Sequence, residues 1–287
     1  VLDFNNPKAG IFHKLNNNHS IYASYSIGNK EPNRNDYVES SPNSRPQHET
    51  LHDIELGYKL AKNNTILSVN LYNMMYDNQL VLTGQINDVG AYTRTNVNNS
   101  FRRGIEIEGK QKLFNKLHIQ ANLTLSQNII NEYVEYVDNW DTWGQEQIVH
   151  ENTDLAFSPN YVWATQFNYK LAKNLSLDIN SKYVGEQYID NTSSDDRKLD
   201  DYLTHNLQLQ YNLNSKLFKT SKIYFRVNNV LDSEYISNAW VYRFISDGYD
   251  PRADDHYVTK NSDGDYNMAG YFPEATRNYM LMLVLGF

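Results

Sequence analysis

The sequence predicts an all-β fold, a transmembrane antiparallel up-and-down β-barrel wall of about eleven strands, from three observations. Apolar and polar residues alternate with period 2 in stretch after stretch of about ten residues, while helical periodicity is almost absent. Connections between these stretches are alternately short and long, as in a meander with tight turns at one end and long loops at the other. The stretches run about ten to twelve residues, matching the ~9 to 11 that a tilted strand needs to cross a bilayer.

Strands near 7–15 and 19–27 are joined by Asn16, Asn17 and Asn18. In 50–60, Ile54, Leu56, Tyr58 and Leu60 alternate with Asp53, Glu55, Gly57 and Lys59, and Ala61 to Asn64 turns the chain into 65–76. In 101–113, Ile105 and Ile107 alternate with Gly104, Glu106, Glu108 and Lys110, and Phe114 to Lys116 leads into 117–128. That strand is the clearest: Leu117, Ile119, Ala121, Leu123 and Leu125 share one face, and His118, Gln120, Asn122, Thr124 and Ser126 the other. Strands 158–171 and 175–188 meet at Ala172 to Asn174 and carry Tyr161, Trp163, Phe167, Tyr169, Tyr183 and Tyr188 near their ends. Such rings line membrane interfaces, where one edge is apolar and the other wet. In 201–213, Leu207, Leu209, Tyr211 and Leu213 share a face on which His205 is the one polar intruder; residues 214–221 lead to 222–230, and the last strand is 276–287. The long connections are 28–49, 77–100, 129–157, 189–200 and 231–275. A partial echo, Gly57-Tyr-Lys-Leu-Ala-Lys-Asn63 against Asn168-Tyr-Lys-Leu-Ala-Lys-Asn174, ends a strand in a short turn each time.

Several classes are excluded. The longest apolar run, Met280 to Leu285, falls far short of the ~18 to 20 residues of a membrane-crossing helix. Aromatic residues at 13% with a net charge of only −8 do not fit disorder. With no Cys there is no disulfide framework, thiolate zinc site or thiol nucleophile. An acidic balance argues against nucleic-acid partners, which need a basic face. The eight His are scattered, no Gly-x-Ser-x-Gly elbow occurs, and Asp263-Gly264-Asp265 reads as a solvated turn, so no catalytic centre, metal or cofactor is expected. A soluble barrel would point its apolar residues inward and its charge outward. Here the polar faces are instead rich in Asn, Gln, Thr, Ser and small residues, and five long loops on one side do not suit a sandwich.

Strand parity adds a second expectation. If the short turns are periplasmic, both the first and the last strand run toward the periplasm, whereas a complete bacterial barrel has an even number of strands. At least one strand is therefore expected before Val1. Tyr279, Leu281, Leu283, Leu285 and Phe287 form one apolar face running to the carboxyl terminus, an edge that barrel closure would cover.

Taken together, certain segments carry a resemblance. They are Phe4-Asn-Asn-Pro-Lys-Ala-Gly10, Tyr22-Ala-Ser-Tyr-Ser26 followed by Asn29-Lys-Glu-Pro-Asn-Arg34, Gly104-Ile-Glu-Ile-Glu108, Val227-Asn-Asn-Val-Leu-Asp232 with Glu234-Tyr235, and the strand ending in Phe287. In this order and spacing, over essentially the whole chain, the sequence resembles the TonB-dependent outer-membrane receptors, and within them the siderophore and iron-complex type of Bacteroidetes. The resemblance implies a 22-stranded barrel with an N-terminal plug, of which residues 1–287 would be the C-terminal part, about eleven strands, without plug or TonB box. It implies a multi-pass protein of a Gram-negative outer membrane that is not an enzyme and captures a scarce nutrient complex, first a ferric siderophore, for TonB-energised import. The implied partners are the TonB complex, the barrel-assembly machinery, an iron-chelate ligand, and outer-membrane lipid and lipopolysaccharide. Tyr279, Leu281, Leu283, Leu285 and Phe287 resemble the signal that the assembly machinery reads. A passive porin or adhesin-type barrel, or a receptor for haem, cobalamin or glycan, is the alternative; a lipocalin-like soluble carrier would have about eight strands.

Ligand residues are sought on the long loops, where a rigid scaffold presents them. The candidates are Arg34 and Arg45 in 28–49, Tyr92 and Arg94 in 77–100, Trp140 and Trp143 in 129–157, and Trp240, Tyr242 and Arg243 in 231–275. Aromatic rings with Arg suit an aryl-rich, anionic iron chelate through stacking and charge. Asp53, Glu55, Glu106 and Glu108 are expected to face the lumen, and Arg102 and Arg103 to stand where a strand leaves its long loop.

Overall fold

A computed structural model describes residues 3–38, 45–87, 89–215 and 217–287. The strands are β1 (Lys8–Lys14), β2 (His19–Lys30), β3 (Glu49–Lys62), β4 (Thr65–Ile86), β5 (Tyr92–Leu113), β6 (Leu117–Asn139), β7 (Gly144–Asp154), β8 (Tyr161–Ala172), β9 (Leu175–Val184), β10 (Gln187–Tyr188), β11 (Lys198–Leu199), β12 (Tyr202–Asn212), β13 (Thr220–Asn228), β14 (Ile236–Ile245), β15 (Val258–Lys260), β16 (Tyr266–Pro273) and β17 (Asn278–Gly286). One short helix, α1 (Arg34–Val38), lies between β2 and β3. Eleven strands build one antiparallel wall in the order β1-β2-β3-β4-β5-β6-β8-β9-β12-β13-β17, and these are the eleven that the alternation predicts.

Register shows why period 2 marks the wall. Ile21, Tyr58, Val69, Ile107, Leu123, Trp163, Tyr183 and Leu203 stand side by side across eight strands, without a charge. The neighbouring row, Ser20, Lys59, Ser68, Glu108, Asn122, Ala164, Lys182 and Thr204, is polar or small and faces the other way. Apolar side chains on the first face stay open, Leu71 at 48% and Leu281 at 75%, a contiguous exposed patch far beyond what water tolerates and suited to lipid. On the polar face, Tyr22 lies flat over Gly57, where a Cβ would sit 1.8 Å from the ring. Its hydroxyl donates to Asn70 Oδ1 at 3.0 Å and Glu55 Oε2 at 3.3 Å. Glu55, Glu106, Glu108 and Asp53 all stand on this polar face. Arg102 joins them, its Nη1 donating to Ser158 Oγ at 3.0 Å, while Arg103 points to the opposite face and holds Gln127 at 2.7 Å.

The long connections depart from the expectation of loops. Residues 77–100 continue β4 and β5, each 22 residues long; 129–157 continues β6 into a hairpin with β7; and 231–275 holds a hairpin of β14 and β16 with β15 on its flank. Predicted strand 175–188 stops at Val184, and β10 pairs with β11 in a sheet of its own. Beyond the membrane, alternate residues meet other hairpins rather than lipid, so their apolar period breaks down although the ladder persists.

Candidate ligand-binding crown

The buried apolar residues of the chain gather almost entirely in this crown. Val81, Val97, Ile130, Tyr133 and Leu155 form one cluster, Ile189, Leu199, Ala239 and Val241 a second, and Phe244, Val258 and Tyr266 a third. The wall needs no such core, because lipid covers one of its faces.

Polar clamps fix the hairpins to each other. Arg243, buried on β14, donates from Nη1 to Glu135 Oε2 of β6 and from Nη2 to Asp263 and Asp265, each at 2.7 Å. His150 Nε2 lies 2.8 Å from the same Glu135 oxygen. Trp140 stacks on Phe244 with centroids 4.0 Å apart, and Tyr242 donates to Asp138 Oδ2 at 2.7 Å. Asp141 accepts from the backbone N–H groups of Asp247 and Gly248 at 2.6 and 2.9 Å. Phe244 and Ile245 also run beside Asp138 and Asn139 as a short parallel ladder.

A second clamp binds 185–201 to β4. Fully buried Asn191 donates to Leu82 O at 2.6 Å and accepts from Ala156 N–H at 2.8 Å, tying three connections together. Beside it, buried Arg197 donates from Nε to Asp190 Oδ2 at 2.6 Å and from Nη2 to Thr192 Oγ1 at 2.7 Å. Gly84 permits this approach: its φ is +86°, and a Cβ there would lie 2.8 Å from Asp190 Cβ and 2.9 Å from Ile189 O. Gly84→Val is expected to cost about 2–4 kcal/mol in local strain and overpacking and to deprotect the amides of 189–199 in hydrogen exchange, with the wall amides unchanged.

Burial pushes the Glu135 carboxyl up, but the His150 hydrogen bond and the Arg243 charge outweigh it and hold the group below its ordinary value. Burial raises Asp265, only partly offset by Arg243. A depressed carboxyl contributes stability above its unfolded pKa and loses it as pH falls through the folded one. The β14 amides should therefore keep their protection factors down to about pH 5 and lose them below about pH 4; loss already at pH 6 would contradict this arrangement.

Beneath the crown, on the lumenal face, a cleft of about 490 Å³ is lined by Leu82, Tyr92, Phe157, Pro159, Val162, Lys182, Val184, Gln187, Tyr202, Ser237 and Asn238. A neighbouring cavity of about 340 Å³ shares Phe157, Pro159 and Val162 with it and adds Glu55, Tyr72, Arg102 and Glu106. The two lie side by side where wall meets crown.

The structure distributes the nine sequence-chosen residues unevenly. Tyr92 reaches the cleft, its hydroxyl donating to Ala239 O at 2.9 Å and Asn238 Oδ1 at 3.1 Å. Arg94 pairs with buried Asp36 of α1 at 3.1 Å. Trp140, Tyr242 and Arg243 come together, as parts of the clamp. Trp240 covers Gly270, half-buried. Arg34 and Arg45 are exposed, as is Trp143 at 93%, at the β6–β7 tip. Sequence reasoning passed over Glu135, His150, Asp190, Asn191 and Arg197; period 2 at Tyr133, Glu135 and Val137 was the available signal for the first. One further pattern is defused by the fold. His48-Glu49-Thr50-Leu51-His52 has the spacing of a zinc-protease helix, but it lies at the extended start of β3, where residues four apart are about 13 Å apart. His48 packs on Phe4 and His52 bonds Tyr25, and no group that could hold a metal ion occurs among the described residues.

Comparison with known proteins supplies the family. The family described as TonB dependent receptor-like, beta-barrel matches residues 2–230. No curated protein matches the sequence. Among solved structures, the chain is similar to the siderophore receptor PiuA from Acinetobacter baumannii (TM-score 0.68, 18% identity, covering 96% of this chain and 35% of that one). It is also similar to the ferric-catecholate import receptor Fiu from E. coli K12 (TM-score 0.64, 16% identity, 96% and 34%) and the copper transporter OprC (TM-score 0.66, 13% identity, 98% and 39%). At such identities the likeness is one of fold, and the chain spans a third to two fifths of those proteins. No helix among the described residues is long and apolar enough to cross a membrane. The chain belongs to the TonB-dependent receptor β-barrel family of the outer membrane, whose members are transport receptors and not enzymes.

Proposed function

We propose that residues 1–287 are the C-terminal barrel portion of a receptor that captures a scarce metal chelate, most simply a ferric siderophore, for TonB-energised import. The observation that carries this reading is the crown: clamped hairpins over a cleft at the lumenal mouth of a membrane wall. Arg34, Arg45 and Trp143 are the exposed candidates for ligand contact, and Tyr92 is the candidate inside the cleft. Asp53, Glu55, Glu106 and Glu108 would meet cationic groups of a plug. Tyr279, Leu281, Leu283, Leu285 and Phe287, on the lipid face of β17 with Phe287 edge-on to Phe218, would serve as the assembly signal, with lipid and lipopolysaccharide outside.

The test is to recover the full reading frame and express the whole receptor in cells lacking their own ferric-siderophore receptors. Growth on a ferric siderophore under iron limitation, abolished by loss of TonB, is the expected result. Uptake independent of TonB, or a reading frame without a plug, would overturn the proposal.

A further inference from the structure

Two tyrosines of the lumenal wall lie down over glycines. Tyr22 of β2 stands directly opposite Gly57 of β3, which stands opposite Asn70 of β4. Its ring covers the glycine, and its hydroxyl donates to Asn70 Oδ1, so the side chain spans from its own strand to the next but one. Tyr72 of β4 repeats the arrangement in the neighbouring row: it stands opposite Gly104 of β5, where a Cβ would lie 2.8 Å from the Tyr72 hydroxyl. The two rings tile the wall from β2 to β5. Beside them in the same two rows stand Ser24, Glu55 and Glu106.

This tiling keeps one part of the wall low. A strand side chain stands roughly perpendicular to its sheet, and an aromatic one lies flat where a glycine opposite it offers no Cβ to hold it off. Elsewhere on the same face, Lys182 of β9 and Lys222, Tyr224 and Arg226 of β13 stand opposite Ala164, Asn212, Gln210 and Gln208, none of them a glycine. Upright side chains interlock with whatever fills the lumen. The tiled part offers it mainly the carboxylates of Glu55 and Glu106, and exposed ionic contacts contribute little and are screened by salt. A second observation is where the tiles lie. The cavity of about 340 Å³ is lined by Glu55, Asn70, Tyr72 and Glu106 and shares Phe157, Pro159 and Val162 with the cleft under the crown, so the low strip begins where the cleft ends.

Resting on the capture reading above, we propose that the tiled face of β2 to β5 is the side of the lumen on which a plug parts from the wall, and that cargo descends from the cleft along this strip. Tyr22 and Tyr72 pave it: lying down, they leave the width of the gap to the cargo.

The experiment uses the full-length receptor in cells and two radio-iron probes, a tris-hydroxamate and a tris-catecholate chelate, at least one of which the wild type imports under the capture reading. In Gly57→Ala the new Cβ runs into the Tyr22 ring and lifts it into the lumen. Import should slow about tenfold, with binding at the cell surface at the wild-type level. Tyr22→Ser/Gly57→Ala removes the lifted ring and should restore import. Gln208→Tyr adds a ring to the same face of β12, away from the tiles, and should leave import unchanged. The chain has no Cys, so single thiols report the gap directly: Ser24→Cys should react faster with a membrane-impermeant maleimide when TonB is present, and Gln208→Cys at the same rate with and without it. The thiol measurement needs no change at Gly57 and decides alone if Gly57→Ala is not assembled. Unimpaired import in Gly57→Ala, a double variant as slow as the single one, an equal block by Gln208→Tyr, or TonB-independent reactivity at Ser24→Cys would overturn the proposal and leave wild-type uptake, and with it the capture reading, standing. A wild type that imports neither probe would overturn the capture reading and the proposal with it.

Discussion

Arg243→Met is expected to release the 231–275 hairpin from the crown while the wall stays folded. The substitution keeps the length and apolar stem of the side chain but leaves Glu135, only 5% exposed, and the partly buried Asp265 without their cation. Removing one partner of a buried pair costs about 3–5 kcal/mol, because the charge left behind has neither water nor counter-ion. Hydrogen exchange should show the β14 and β16 amides losing protection by two or more orders of magnitude, with β2 to β5 unchanged. Adding Glu135→Gln should restore part of the loss, since the stranded charge is then gone; a double variant as damaged as the sum of the singles would mean that the two side chains are not coupled. The stacking of Trp140 on Phe244 survives in both variants, which isolates the ionic contribution.

The second large effect separates the two faces of β17. Leu283 sits opposite Ile223 on the apolar face, 58% exposed, whereas the adjacent Met282 sits opposite Tyr224 on the polar face. Leu283→Arg places a guanidinium against hydrocarbon, at a cost of about 2–4 kcal/mol near the membrane midplane. Met282→Arg enters a lumenal row that already contains Arg226 and Lys222 on β13, and should be tolerated. In the full receptor, heat-modifiable gel mobility and the yield in the outer membrane should fall for Leu283→Arg and stay near wild type for Met282→Arg. Equal behaviour of the two would refute the assignment of faces.

Much of the fold was legible because the bilayer imposes a rule on every residue of the wall. Leu117 to Ser126 can only alternate, since each odd position meets lipid and each even one the lumen, and the tight turns fall where such runs stop. Asn63, at φ 48° in the two-residue turn between β3 and β4, shows the same local legibility, because Asn tolerates the left-handed region. The hairpins above the membrane were read as loops for the complementary reason: Gln79, Val81, Val97 and Ser100 are all buried by neighbours that differ from residue to residue, which leaves no period to detect.

The candidate site divides along the same line. Trp140, Tyr242 and Arg243 were chosen for their chemistry and do converge, but as a clamp, since the chemistry that could stack on and pair with a chelate serves equally between two hairpins. Exposed Trp143, Arg34 and Arg45 were chosen by residue type alone. Glu135 could not be recognised as the partner of Arg243 across 108 positions, nor Asn191 as the link to Leu82 across 109, because local alternation can place a residue on an inward face but names no partner. By itself, the sequence determined the strand number, the faces, the tight turns and the charge of the loops, all set by each residue's own solvent. Only the tertiary structure decided which cations are consumed and which remain open, because burial of a charged group depends on a partner that distant chain brings to it.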